Sequence, residues 1–217
     1  RGEEWGVDSV MYKGAVLGEF SDSLDDVVVP LSDAVNATKR KGKAEGEIIV
    51  ACDVARYGKD KTVAFKRQGN VAEIIYQVQG RDLMEIAGWL GRYCDENPVD
   101  VLVIDDTGLG GGVTDRVRET IGGKTKIEAF TAGSNAIAKD RFSNSTTEAW
   151  WNMREWIMGD GQIPDDPSFI RQLTSRKYNI QSDKRLQLES KNKMSKSPDE
   201  ADALSMTFIA ISGWGVW

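Results

Sequence analysis

Two short apolar runs, each ending on a carboxylate, limit how this chain can fold. The first is Glu47-Ile48-Ile49-Val50-Ala51-Cys52-Asp53 and the second Asp100-Val101-Leu102-Val103-Ile104-Asp105-Asp106. Runs of that length, rich in Ile and Val, are the signature of buried strands. In open α/β sheets ligands sit beyond the carboxyl ends of the strands. Pairing these two strands therefore brings Asp53 beside an aspartate of the Asp105-Asp106 pair. Like charges in contact repel, and burial makes ionising them costlier still. A hard divalent cation such as Mg2+, which takes oxygen ligands, removes the conflict. The expectation is a metal site.

The absence of histidine narrows the chemistry. Ser-His-Asp and Cys-His catalysis, His-containing zinc sites and His-based nucleases are excluded, leaving carboxylates, hydroxyls, lysines and metals. Two cysteines make no disulfide framework, so Cys52 and Cys94 are expected as small core residues in a reducing, intracellular setting. The 217 residues, 40% of them hydrophobic, allow one large domain or a domain with an appendage. No stretch approaches the ~20 apolar residues that span a bilayer, so no membrane partner is expected. The chain opens Arg1-Gly2-Glu3-Glu4-Trp5, without a signal peptide or an initiator Met. A fragment of a longer protein is expected.

Along the chain, Leu31 to Ala37 reads as a short helix with Ser32 as its N-cap. Lys39 to Gly46 is polar and reads as a linker or basic loop. After the strand at 47–53, with a turn at Gly58, residues 62–67 and 71–78 form an antiparallel hairpin about Gln68-Gly69-Asn70. Residues 82–96 place Leu83, Ile86, Ala87, Leu90 and Cys94 on one helical face. The 100–106 strand follows this crossover and should pair parallel to the first. A glycine-rich loop, Gly108 to Gly112, leads to a helix from Val113, and Lys126 to Phe130 is a further strand. The order β-β-β-α-β-α-β describes a mixed α/β sheet with helices packed on it. Helices at 146–158 and 168–174 follow, with Trp150 and Trp156 expected in the core or at an interface. Residues 176–190 read as a second hairpin, and Ser197 caps a last helix with Pro198 at its first position.

That helix brings a third source of carboxylates. Asp199 and Asp202 are three apart and share a face. With Asp53 and Asp105 they suit two Mg2+ or Mn2+ ions, the arrangement of many nucleases and polymerases. The whole chain carries −6, yet residues 171–196 hold eight basic residues against two acidic ones. Such a segment beside an acidic cluster suits a phosphodiester backbone. A P-loop is not found: Gly123-Lys124-Thr125 lacks the required first glycine, which falls on Arg118, and it follows a helix.

Three stretches carry a resemblance. They are Asp53-Val54-Ala55-Arg56-Tyr57-Gly58-Lys59-Asp60-Lys61-Thr62, Ile104-Asp105-Asp106-Thr107-Gly108-Leu109-Gly110, and Ser190-Lys191 leading to Ser197-Pro198-Asp199-Glu200-Ala201-Asp202-Ala203-Leu204. In order, across about residues 45–211, the chain resembles the nuclease domain of the large terminase subunit of tailed bacteriophages. The resemblance implies an RNase H-like mixed β-sheet flanked by helices, with two-metal cleavage of double-stranded DNA during genome packaging. It places Asp53, Asp105 and Asp202 on catalytic, metal-binding positions and Asp60 and Asp199 on accessory acidic ones. Its Asp-x-Thr-Gly pattern favours Asp105 over Asp106, and strand alternation separates the two neighbours.

On this reading residues 1–44 are the linker or tail of an absent ATPase region and 45–217 the nuclease domain. Arg176, Lys177, Lys184, Arg185, Lys191, Lys193 and Lys196 are expected to contact DNA. The cofactors are two Mg2+ or Mn2+ ions. An ATPase motor, the portal and the small terminase subunit are implied partners of the full-length protein, in the host cell cytoplasm. Two alternatives stand beside it. One is a Holliday-junction-type resolvase on the same fold. The other is a non-catalytic DNA- or portal-binding module, with Trp214-Gly215-Val216-Trp217 as a docking peptide.

Overall fold

A computed structural model of the chain describes residues 26–55, 60–107, 110–194 and 196–209. The turn at Gly58, the Gly108-Leu109 part of the glycine-rich loop and the Trp214–Trp217 tail lie outside them.

Five strands form one mixed sheet: β1 (Ile48–Asp53), β2 (Lys61–Gln68), β3 (Val71–Gln79), β4 (Val101–Asp105) and β5 (Lys126–Phe130), in the order β3-β2-β1-β4-β5. β1 to β3 are antiparallel, while β4 and β5 run parallel to β1. This is the mixed sheet expected from the sequence. Gly69 permits the β2–β3 turn at φ +52°, where a Cβ would lie 2.7 Å from the carbonyl oxygens of Lys43 and Glu45. Only glycine meets both demands.

Alternation divides the sheet into two faces. Val50, Cys52, Ala64, Leu102 and Ile104 pack with Ile86, Leu90, Val113 and Val117. Those last four come from α2 (Leu83–Glu96) and α3 (Gly110–Thr120). On the other face Ile49, Ala51, Val101 and Val103 meet Met206, while Val63 and Phe65 join Leu204. Met206 and Leu204 belong to α6 (Asp199–Met206), which lies on β1 and β2. Outside α6 pack α4 (Ser145–Met158) and α5 (Pro167–Ser175), and α1 (Leu31–Thr38) contacts both. Val28, Val29, Leu31, Ala34 and Ala37 thereby share one apolar cluster with Trp150 and Phe169. Cys52 and Cys94 are buried and free.

The hairpin of β6 (Tyr178–Ile180) and β7 (Leu186–Leu188) is a separate two-stranded sheet. Leu186 anchors it, donating its N–H to the Arg141 carbonyl at 2.9 Å.

One cap and two helix starts differ from expectation. α1 begins at Leu31, with Pro30 rather than Ser32 at the cap and no side-chain cap. Pro30 enters with φ −62°, and Leu31 is buried at the first helical position. α3 begins at Gly110 instead of Val113. The Asp106 carboxylate sits beside that first turn, accepting from Thr114 Oγ1 at 2.8 Å, and a negative charge there favours the helix dipole. α6 begins at Asp199, so Pro198 rather than Ser197 holds the cap position and offers no side-chain cap.

Candidate metal centre

The β1–β4 register pairs Cys52 with Ile104, so Asp53 and Asp105 are the next residues of adjacent parallel strands. Ile49 and Ala51 on β1, and Val101 and Val103 on β4, face α6. Period-two alternation turns Asp53 and Asp105 to that same side. Asp106 goes the other way, to Thr114 of α3, and a Cβ on Gly111 would meet its Oδ1 at 3.5 Å.

From above, α6 contributes Asp199 and Asp202, 6% and 7% exposed. Asp199 Oδ2 accepts the Lys61 backbone N–H at 2.8 Å, tying the helix start to β2. Asp202 Oδ1 accepts the Trp150 indole N–H at 2.8 Å. Its buried Oδ2 is paired with the Lys191 ammonium, 2.6 Å away. Lys191 opens a single 3-10 turn, Lys191–Lys193, that follows the hairpin.

The electrostatics of Asp53 record this convergence. Burial, then the charge of Asp202, push its carboxyl well above the usual carboxylate range. Lys191 acts in the opposite direction, and Asp105 and Asp199 add to the rise. Burial opposes the charge of Lys191, but Asp202 and Asp53 outweigh it and raise the ammonium. Burial first, and then Asp53 and Asp105, also push up the neighbouring Cys52 thiol, which stays neutral and inert. Arg176 lies near the same group: burial lowers its pKa, and Asp202 raises it.

Among the described residues no group of three or more acidic or cysteine side chains is already drawn up to hold an ion. Positive charge at the centre comes from Lys191 and Arg176 instead. The donor set nevertheless fits a hard divalent cation: four carboxylates, one of them offset by a lysine ammonium, and one carboxyl crowded by its neighbours. Softer metals would want imidazole or thiolate. The chain has no histidine, and its cysteines are buried in the core.

The remaining expected site residues are spread around this centre. Asp60 is exposed at the foot of β2. Arg176 is 4% exposed, lies 5.8 Å from the Trp150 ring centroid and donates to Met194 Sδ. Burial thus removes it from any surface a DNA backbone can reach. Lys177 is paired with Asp26, Arg185 with Asp183 and Lys193 with Glu189. Lys184 and Lys196 are exposed.

Sequence reasoning assigned Lys191 to DNA contact rather than to a pairing with Asp202, and read Trp150 only as core. Glu200 belongs to none of the expected sites. It is 2% exposed and is held by Gln172, Gln77, Ser168 and Lys61 rather than aimed at Asp53.

No protein-family model and no curated protein matches the chain. Solved structures do. The nuclease domain of the large terminase subunit gp2 of bacterial virus Sf6 superposes with TM-score 0.74 at 19% identity, covering 86% of this chain and all of that domain. A point mutant of that domain, with manganese and beta-thujaplicinol, gives 0.73 at 20% identity and covers the same shares. The large terminase nuclease of thermophilic phage G20c with bound magnesium gives 0.62 at 11% identity, over 84% of this chain and 96% of that one. This chain has the RNase H-like fold of the terminase nucleases. The sheet order, the placement of α6 across β1 and β2, and the gathered strand ends are the parts of that fold on which the site depends. Among the described residues no helix is long and apolar enough to cross a membrane.

Proposed function

We propose that this chain is a metal-dependent endonuclease of viral genome packaging, cutting concatemeric double-stranded DNA with little sequence specificity. The observation that carries this reading is the convergence of Asp53, Asp105 and Asp202 from two strand ends and an overlying helix, with the Lys191 ammonium drawn in against Asp202 Oδ2. The likeness to terminase nucleases crystallised with manganese or magnesium supports it.

Asp53, Asp105 and Asp202 would hold two Mg2+ or Mn2+ ions, with Asp199 and Asp60 as accessory carboxylates. Bound divalent cations supply a water made nucleophilic near neutral pH and stabilise the leaving oxygen. The chain's own residues do the rest. Trp150 fixes the rotamer of Asp202 through its N–H. Lys191 offsets the negative charge that would otherwise turn away a phosphate, and it can swing from Asp202 towards a phosphate oxygen because its side chain is 47% exposed. Lys184, Arg185, Lys193 and Lys196 contact the backbone, which positions a duplex without reading its bases. In the full-length protein an ATPase motor would accompany this domain, whose core already takes in Val28 to Ala37 of the expected linker, and the portal and small terminase subunit would be its packaging partners.

The test is nicking of supercoiled plasmid with Mg2+ or Mn2+, against a chelator control. Paired variants check the site. Asp105→Ala loses cutting by about 100-fold or more, since a direct ligand matters at least as much as the outer partners that cost 10–100-fold. Asp106→Ala keeps cutting but loses the Thr114 hydrogen bond and the negative charge beside the first turn of α3, a stability cost of about 1.5–3 kcal/mol. Equal tolerance of both changes would remove the second strand end from the site.

A further inference from the structure

α6 carries two of the site's carboxylates, yet its own sequence cannot cap it. Pro198 holds the N-cap position and has no side chain able to accept from the first turn. Two of the N–H groups left open there are those of Glu200 and Ala201, the second and third helical residues, the ones an N-cap oxygen normally serves. Gln172, from α5, serves them instead. Its Oε1 accepts from Glu200 N at 2.8 Å and from Ala201 N at 3.3 Å. Its Nε2 donates to Glu200 Oε2 at 2.8 Å. Gln172 is 9% exposed and Glu200 2%. Gln77 of β3 and the Lys61 ammonium hold the other Glu200 oxygen.

We infer that Gln172 is a positioning residue for the metal centre, capping α6 from outside and so fixing where Asp199 and Asp202 are presented. This rests on the nuclease reading and deepens it. One amide side chain clamps both the backbone and a side chain of the turn that starts at Asp199. Asp202 lies one residue beyond Ala201, so a loose first turn would displace its carboxylate relative to Asp53. Tethers at two points on α6 divide the labour. At its C-terminal end Arg67 donates to Thr207 Oγ1 at 3.1 Å and to the Thr207 carbonyl at 2.7 Å, with its guanidinium 4.3 Å from the Phe208 ring centroid. At its N-terminal end the clamp is Gln172 with Glu200.

The experiment is a calorimetric titration with Mn2+ alone, well below the melting temperature, on the wild type, Gln172→Met and the exchanged pair Gln172→Glu with Glu200→Gln. Gln172→Met keeps the volume and removes every polar contact. It is expected to raise the half-saturating Mn2+ concentration by about 10-fold, the scale of lost outer partners in metal sites. The exchanged pair restores an acceptor for both N–H groups and reverses the side-chain hydrogen bond, so it should bind Mn2+ as the wild type does. A role limited to packing predicts unchanged half-saturation in Gln172→Met, and that result overturns the inference. So does a folded exchanged pair that binds weakly, which decides the matter even if Gln172→Met does not fold. If the wild type binds no Mn2+, the underlying nuclease reading falls and the inference with it.

Discussion

Asp53→Asn is expected to lose metal-dependent nicking by about 100-fold or more while raising the melting temperature of the metal-free protein. The two effects have one cause. Burial and the nearby charge of Asp202 hold the Asp53 carboxyl well above its usual range. A carboxyl whose folded value is raised contributes stability that is complete below its unfolded value, about pH 3.9, and is lost as pH rises through the folded value. At neutral pH the resistance of this carboxyl to ionisation therefore works against the metal-free fold, although Lys191 softens the penalty. Asparagine keeps the shape and removes the charge, so its stabilising effect should be present at neutral pH and absent under strong acid. Thermal unfolding in chelator at both pH values, beside plasmid nicking, checks the pair of outcomes. A variant less stable than the wild type at neutral pH would show that Asp53 is not under electrostatic stress.

Trp150→Ala is expected to be the most destabilising single change at the site. Trp150 is fully buried on α4 and packs in the cluster that joins α1, α4, α5 and α6. Removing such a ring costs about 3–5 kcal/mol. The change also strips Asp202 Oδ1 of its donor and Arg176 of the ring it lies against. Trp150→Phe separates these parts. It retains most of the apolar volume and deletes the N–H, which leaves a buried carboxylate oxygen unpaired at about 1–3 kcal/mol. The Phe variant should fold yet cut about 10-fold more slowly, because Asp202 is then free to rotate. Denaturant unfolding together with nicking rates distinguishes the two. A Phe variant with full activity would mean that the indole N–H is irrelevant to the placement of Asp202.

The sheet is legible in the sequence because its strands are extreme: Ile49 to Cys52 and Val101 to Ile104 are buried on both faces and bounded by charge. The helical face of α2 is equally plain, since Ile86, Leu90 and Cys94 keep their spacing. Helix starts are less so. The three glycines from Gly110 to Gly112 read as loop by intrinsic preference, but tertiary packing and the Asp106 carboxylate draw the helix back over them. Pro198 reads as a first helical residue under a serine cap, whereas the cap comes from Gln172, 26 positions earlier. Spacing along a chain cannot reveal a partner supplied by another helix.

The same limit governs the site. Asp53 and Asp105 are visible because each ends an apolar run, and Asp202 because it shares a helical face with Asp199. The Asp-x-Thr-Gly pattern and strand alternation both favour Asp105 over Asp106, and the β1–β4 register fixes which face each takes. Lys191 is different in kind. The resemblance marks it beside Ser190, but only the 3-10 turn shows its ammonium placed against Asp202. Arg176 shows the converse, a basic residue that composition assigns to the surface and packing takes inside.

Anomalous diffraction from crystals soaked in Mn2+ tests the central claim most directly. The account predicts manganese density bounded by Asp53, Asp105 and Asp202, with the Lys191 ammonium displaced from Asp202 Oδ2. Manganese bound only elsewhere, with Lys191 still paired to Asp202 and the three carboxylates free of metal, would contradict it.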